Sequence, residues 1–441
     1  MKRKFLLTAI AFFVGFVLYG QEPKPIPGQY IVILKESAAT PVIKKQKKNN
    51  DREKKFNDNK PEREKNMAKL KQVQQKKNIK ANSVLNEYAD VTVGFSAKLS
   101  EGEKTALQND AEIEGVYQDY YVDIPPVVIE KNPPDVGKID LNEDNEFVTT
   151  LSGPNVRLAI DNTANNYYNE TKAISFAQVV PCGITQAGGF VDGSAKSTWI
   201  WILDTGINLG HPDLNVQTNP TWAKSFVPGQ TVEDGHGHGT HVAGTAAAKN
   251  NTIGVVGVSA GARVVPVKVL PNAGSGEWSW LLAALNHVAQ YDIPGDVINM
   301  SLGGYGYANC ENSWGALRDA IRNLGNAGTW VVMASGNDNA DANFNRPGCI
   351  NGTRVITVGG MTCQRTCYVN SNWNTSSTVP VDWVATGVSV YSTYKGGGYA
   401  TMSGTSMASP HVAGIVHARN AYPLVAGTIN CKGKNYNIAR R

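Results

Sequence analysis

Trp199-Ile200-Trp201-Ile202-Leu203-Asp204-Thr205-Gly206 is the stretch on which the reading of the fold turns: an apolar strand that ends on a carboxylate and a glycine turn. Working outward, the same kind of run recurs with helical stretches between. A helix around His241 to Ala248 is followed by Val264 to Leu270, then by a helix around Trp280 to Ala289 and by Asp296 to Ser301; Trp330 to Ala334 and Val355 to Val358 continue the series. Alternating strand and helix predicts an α/β unit, a mostly parallel sheet flanked by helices on both faces, with active residues at the carboxyl ends of strands. Asp204 and Asn337 fall at such ends.

Upstream of this unit the pattern changes. Tyr30 to Leu34 and Val91 to Ala97 are strand-like and Glu101 to Leu107 reads as a helix entered at Ser100, which makes a small mixed α/β module. From Pro125 to about residue 176, Pro-Pro pairs and Asn and Asp clusters read as linker, Asn155 to Ile160 being its least linker-like part. At the start, Lys2-Arg3-Lys4 leads into the apolar stretch Phe5 to Leu18, the layout of a cleaved secretory signal over residues 1–20. No later segment is apolar enough for a membrane span, so the mature protein is expected to be secreted and free of the membrane. With 441 residues, 41% of them apolar and 18% charged, the chain can bury the cores of two or three folding units, and bulk disorder is excluded.

The net charge of +5 raises the question of nucleic acid, and its location answers it. Residues 41–80 hold fifteen Lys/Arg against five Asp/Glu, a net of +10, so the rest of the chain is net negative. This run alternates Lys with Asn and Gln and has no aromatic interleaving for base stacking; it reads as a solvated loop or frayed helix, and no nucleic-acid partner is expected. Six cysteines, Cys182, Cys310, Cys349, Cys363, Cys367 and Cys431, suggest disulfides in an exported protein. Cys363 and Cys367 are close enough for a loop bridge or for metal ligation, although no second cysteine pair completes a tetrahedral zinc site.

Four residues carry candidate chemistry. Asp204 sits at a strand end, where a turn-capping role competes. His238 lies in Gly235-His236-Gly237-His238-Gly239-Thr240-His241, where small residues let a helix start tightly and project one imidazole; zinc held by His236, His238 and His241 is the rival. Ser406 lies in Gly404-Thr405-Ser406-Met407-Ala408-Ser409-Pro410-His411, a turn entering a helix, so its own amide can stabilise a developing oxyanion. Asn337, in Ala334-Ser335-Gly336-Asn337, offers an amide NH₂ as a second oxyanion donor; otherwise it is a turn residue.

Taken together, Asp204-Thr205-Gly206, His238 to Thr245, Asn299-Met300-Ser301-Leu302-Gly303-Gly304 and Gly404 to Gly414 closely resemble the subtilisin family, whose Asp–His–Ser order they share. The resemblance covers residue 177 onward and implies a catalytic domain over 177–441. It implies a serine endopeptidase acting on proteins and peptides as a monomer, with Asp204, His238 and Ser406 as triad and Asn337 and the Ser406 amide as oxyanion hole. By the same resemblance Gly274-Ser275-Gly276 and Ser301-Leu302-Gly303-Gly304 look like the two segments that pair with a substrate strand. Trp278 matches a position walling the pocket four residues before the scissile bond, whereas Trp280 reads as core. Gln178, Asp213 and Asn251, with main-chain oxygens of Lys249, Ile253 and Val255, match a structural calcium site, and no catalytic metal is implied. Gly28-Gln29-Tyr30-Ile31-Val32 and Gly94 to Ser100 resemble the subtilisin pro-domain, which makes residues 21–124 a small α+β ferredoxin-like intramolecular inhibitor with a basic insertion at about 41–80. The maturation cut is expected either just after Asp123 or near Ala177.

Overall fold

The computed structural model describes residues 23–45, 49–130, 140–141, 147–148, 178–305, 315–375 and 379–441. The signal stretch 1–20, Asn155 to Ile160, Ala177 and Cys310 lie outside the described residues.

The apolar stretch becomes strand β6 (Ile200–Asp204), and its side chains show why no polar residue interrupts it. Trp201 and Leu203, with Trp199 before them, enter one core with helices α5 (Trp278–Tyr291) and α6 (Gly315–Ala327). Ile200 and Ile202 enter a second core with α4 (His238–Ala247) and α7 (Thr405–Arg419). A strand buried on both faces has no solvent side for a polar residue to occupy. Around it, β7 (Arg263–Lys268), β6, β9 (Val297–Met300), β10 (Trp330–Ala334), β11 (Val355–Met361) and β12 (Val381–Thr386) pair in that order, all parallel. Beyond β12 the sheet gains a hairpin that the strand pattern does not foretell: β15 (Lys434–Arg440) pairs parallel with β12, and β14 (Leu424–Cys431) pairs antiparallel with β15.

Disulfides, not metal, account for the described cysteines. Cys182 pairs with Cys363 and Cys367 with Cys431, and Cys349 is also disulfide-bonded. Cys363 and Cys367 therefore do not bridge each other; the second pair ties the terminal hairpin to the loop after β11.

The N-terminal module is a four-stranded antiparallel sheet with helices on one face. Its strands are β1 (Pro25–Leu34), β2 (Val84–Tyr88), β3 (Gly94–Lys98) and β4 (Ile113–Asp123), in the order β4-β1-β3-β2. With α2 (Lys60–Lys76) and α3 (Glu101–Gln108) this is the βαββαβ arrangement of a ferredoxin-like fold. Helix α3 starts where expected, at a Ser100–Glu103 capping box. Along β1, Tyr30, Val32 and Leu34 face the module's own core with Leu70, Val73 and Phe95, while Ile31 and Ile33 enter the core shared with α5. The module is thus packed onto the larger unit, and β8 (Ser275–Glu277) joins its sheet beside β4.

The basic run corrects the expectation of a solvated loop or frayed helix. Residues 52–58 form helix α1 (Arg52–Asp58) and 60–76 form α2. Met67, Leu70 and Val73 give α2 a narrow apolar stripe, and its cations pair locally: Arg63 with Asp90, Lys69 with Glu112, Lys71 with Glu87. Part of the charge that looked unpaired along the sequence finds partners elsewhere in the fold.

Candidate active site

Asp204, at the carboxyl end of β6, and His238, in the first turn of α4, meet where the two units join. His238 Nδ1 lies 2.7 Å from Asp204 Oδ1, and both side chains are fully buried. Asp204 Oδ1 also accepts from the Thr205 amide at 2.7 Å. The helix starts at a left-handed Gly237, φ 107°, where a Cβ would meet Tyr394 at 2.4 Å. Asp234, not singled out in the sequence, aligns the two elements. It accepts from Thr205 Oγ1 at 2.9 Å, from Gly237 N at 2.7 Å and from Thr240 N at 2.9 Å, so one carboxylate caps the His238 helix and holds the Asp204 turn. Its signal is an Asp three residues before a helix-opening glycine.

Ser406 sits in the first turn of α7. Its Oγ donates to the Ser301 carbonyl at 3.3 Å, while His238 Nε2 is buried without a hydrogen-bond partner. Serine and imidazole are therefore not hydrogen-bonded to each other. Asn337 is oriented by its carbonyl: Oδ1 accepts from Thr405 N at 2.8 Å and Thr405 Oγ1 at 2.9 Å, which turns the NH₂ outward. Nδ2 donates at 2.9 Å to the carbonyl oxygen of Pro126. The three histidines do not converge on one point, because His241 Nε2 reaches the carbonyls of Val390 and Ala400 at 2.9 and 3.1 Å.

That Pro126 carbonyl belongs to a segment lying in the cleft as an added strand. Ser275 pairs with Asp123, Gly276 with Val122 and Glu277 with Tyr121. On the same side Ile124 N donates to Gly274 O at 3.1 Å, and on the other side Asp123 and Gly303 exchange hydrogen bonds of 3.2 and 2.9 Å. Past Pro126 the chain forms β5 (Val128–Glu130), antiparallel to β13 (Tyr399–Ser403). Gly404 leaves room for the segment's side chain, since a Cβ there would come within 3.0 Å of Val127 Cγ1 and 3.1 Å of Asn337 Nδ2. Residues 125–130, read as the start of a linker, are strand and cleft segment instead.

The residues expected to line the cleft meet it in different ways. Gly303 and Gly304 border it together with Gly274, Pro125 and Pro126, Gly304 also exchanging hydrogen bonds with Arg346, both 2.9 Å, while the Leu302 side chain is in the core. Trp278 is fully buried in the cluster that holds Val122, whereas Trp280, expected in the core, is half-buried beside Gln29, Phe226 and Glu277. Helix α5 was long enough to predict; which of its faces turns toward the N-terminal module was not.

The Subtilase family model matches residues 195–426 and the Peptidase inhibitor I9 model residues 29–125. The chain belongs to the subtilase family. Among subtilase relatives, subtilisin amylosacchariticus of Bacillus subtilis subsp. amylosacchariticus is 38% identical over 254 residues, 55% of this chain and 61% of that protein. M-protease of Shouchella clausii (strain KSM-K16) is 35% identical over 316 residues, 70% of this chain and 72% of that protein. A solved structure, that of a cold adapted subtilisin-like serine proteinase, is 34% identical, with TM-score 0.44 over 52% of this chain and 76% of that one. The subtilase match ends at residue 426, inside β14, so most of the terminal hairpin lies outside the matched span.

The residues expected to hold calcium gather beside α4. Gln178 Nε2 donates to Lys249 O at 2.7 Å, Val255 O at 3.1 Å and Asn251 Oδ1 at 3.3 Å. Turning that amide end for end puts its oxygen among three others, a donor set that suits calcium. Asp213 adjoins, accepting from Asn251 Nδ2 at 2.8 Å and Val255 N at 2.9 Å, and burial pushes its carboxyl up to about 6. A bound divalent cation would remove that cost. Ile253 joins through its N–H, which donates to Asn251 Oδ1 at 2.9 Å.

Proposed function

We propose that the chain is the precursor of a secreted serine endopeptidase that cuts peptide bonds through Ser406 and removes its own N-terminal module. The observation that carries the reading is the peptide carbonyl of Pro126, held by the Asn337 amide in a strand-paired segment beside Ser406 and the Asp204–His238 pair. On this reading that carbonyl stands where a scissile one would be bound. In the reacting state a rotation about the Ser406 side chain takes Oγ from the Ser301 carbonyl to His238 Nε2, which accepts its proton as Oγ attacks. Asp204 holds the Nδ1 proton and stabilises the imidazolium, and Asn337 with the Ser406 amide stabilises the oxyanion. His238 then protonates the departing amine, and water resolves the acyl-enzyme.

The same contacts support latency. Pro125 and Pro126 have no N–H to give the Ser301 carbonyl, and the Ser406 hydroxyl takes that acceptor. The N-terminal module acts on this reading as an intramolecular inhibitor. Gln178, Asp213, Lys249, Asn251, Ile253 and Val255 would hold a structural calcium ion, which neutralises the buried Asp213 and ties the loop after α4 to the chain at residue 178. The bond at the oxyanion position is Pro126–Val127, three residues beyond Asp123.

Intact mass and N-terminal sequencing of the secreted wild type beside Ser406→Ala test the reading. Expected are a trimmed wild type and an untrimmed variant in a protease-free host; equal trimming of both would overturn self-processing.

A further inference from the structure

Helix α1 meets the catalytic unit at a place remote from the cleft. Arg52 is buried there, and its guanidinium forms a fork with the Asp296 carboxylate, one arm at 2.8 Å. It also donates to the carbonyls of Tyr291 at 3.0 Å and Ser197 at 2.9 Å, and it lies 3.6 Å from the centre of the Trp199 ring. One turn on, the buried Lys55 ammonium pairs with the Asp292 carboxylate and donates to the Asp292 carbonyl at 2.9 Å. Phe56 stacks on Tyr291, ring centres 4.9 Å apart and planes 8° from parallel. Arg52, Lys55 and Phe56 stand at i, i+3 and i+4, one face of one helix.

The receptor is built without help from that helix. Asp296 accepts from Trp199 N at 2.8 Å, Trp201 Nε1 at 2.9 Å and Ile293 N at 3.2 Å, all on the catalytic unit. Trp199 is held edge-on by Trp222 at 5.1 Å. A fixed carboxylate, two carbonyls and an aromatic floor surround a planar cation on every side, a shape that an ammonium would not fill. Its position matters as well. Asp296 and Trp199 precede the amino ends of β9 and β6, whereas Asp204 closes the carboxyl end of β6. At roughly 3.3 Å per residue the two sites stand more than about 13 Å apart across the sheet.

We propose that the Trp199–Asp292–Asp296 pocket is a second recognition site of the catalytic unit, specific for a helix face bearing Arg, Lys and an aromatic side chain, and that its occupant is Arg52-Glu53-Lys54-Lys55-Phe56 of the chain's own N-terminal module. Besides the apolar core it shares with α5, the module is then held by a strand in the cleft and by a cationic helix at the amino ends of the strands. Two linked attachments reinforce each other through effective concentration, so opening the cleft alone does not free the module. The proposal rests on the reading of residues 21–124 as a separable inhibitory module, and not on the chemistry of Ser406.

Hydrogen exchange on the full chain carrying Ser406→Ala tests it, because that protein needs no catalysis and stays in one piece. Amides of residues 52–58 and 291–297 are expected to be protected in this parent. Adding Arg52→Gln and Lys55→Gln, which keeps helix propensity, should speed exchange at both stretches by on the order of tenfold or more, while β4 and β8 exchange as before. Unprotected α1 amides in the parent, or no change on substitution, would overturn the second site. Equal acceleration at β4 and β8 would show one indivisible interface and overturn it too. Trimming of the active chain reports on Ser406 separately.

Discussion

At the residue scale, the site depends on which acceptor each donor has found. Asn337 makes three hydrogen bonds, two of them serving only to aim the third, so Asn337→Ala is expected to lower kcat on the order of a hundredfold with little change in KM, checked by steady-state kinetics on a peptide substrate. With Asp123 paired antiparallel to Gly303, residue 125 falls opposite Ser301, so Pro125→Ala supplies an N–H toward the Ser301 carbonyl and should release Ser406 toward His238. Faster cutting after residue 126, read by a time course of N-terminal sequencing, is the expected outcome; an unchanged rate would separate the prolines from latency. The triad residues and Asn337 were legible in the sequence because each lies in a short motif at a strand end or helix start. Asp234 and Pro126 were not: their roles come from contacts with Thr205 and Asn337, at separations of 29 and 211 residues.

At the element scale, strands were easier to foresee than the partners of helices. The apolar runs of β6, β9, β10 and β11 are continuous because the parallel sheet is covered on both faces, and that pattern survives in any reading of the sequence. Helices α1 and α2 were misread since Lys-rich segments with a narrow apolar stripe look solvated until Asp90, Glu87, Glu112, Asp292 and Asp296 are brought beside them. The terminal hairpin was missed for a related reason: β14 is mostly exposed, so it lacks a sustained apolar run. Its anchor is the Cys367–Cys431 disulfide, which closes a span of 64 residues. Replacing both cysteines by serine should cost about 2–4 kcal/mol, seen as a lower Tm, and leave kcat/KM at low temperature nearly unchanged.

At the scale of the whole molecule, two linked equilibria set stability. His241, His287, His411 and His417 are buried, and burial lowers their pKa values to about 3 for the first and about 4 for the others. The unfolded chain, with histidines near 6.5, binds more protons between pH 6.5 and 4, so the folded state loses stability as pH falls through that window. Asp119 and Asp213, pushed up to about 6 by burial, and Asp382, pushed up to about 7, oppose this, while His211 and His236, also lowered by burial, add to it. A lower Tm at pH 5 than at pH 7, measured on Ser406→Ala, is the expected net result. The proposed calcium ion would be the second linkage: a chelator should lower Tm and inactivate slowly, at the rate of unfolding, whereas instant loss would point to a metal in the chemistry. The central claim is that Ser406, with His238 behind it, is the nucleophile. The most direct measurement is mass mapping of the trimmed protein after exposure to a serine-directed phosphonylating reagent, beside His238→Ala whose N-terminal module has been removed by an added protease. One adduct on the peptide containing Ser406, absent from the His238 variant, is the predicted result; no adduct, or an adduct on another residue, would contradict it.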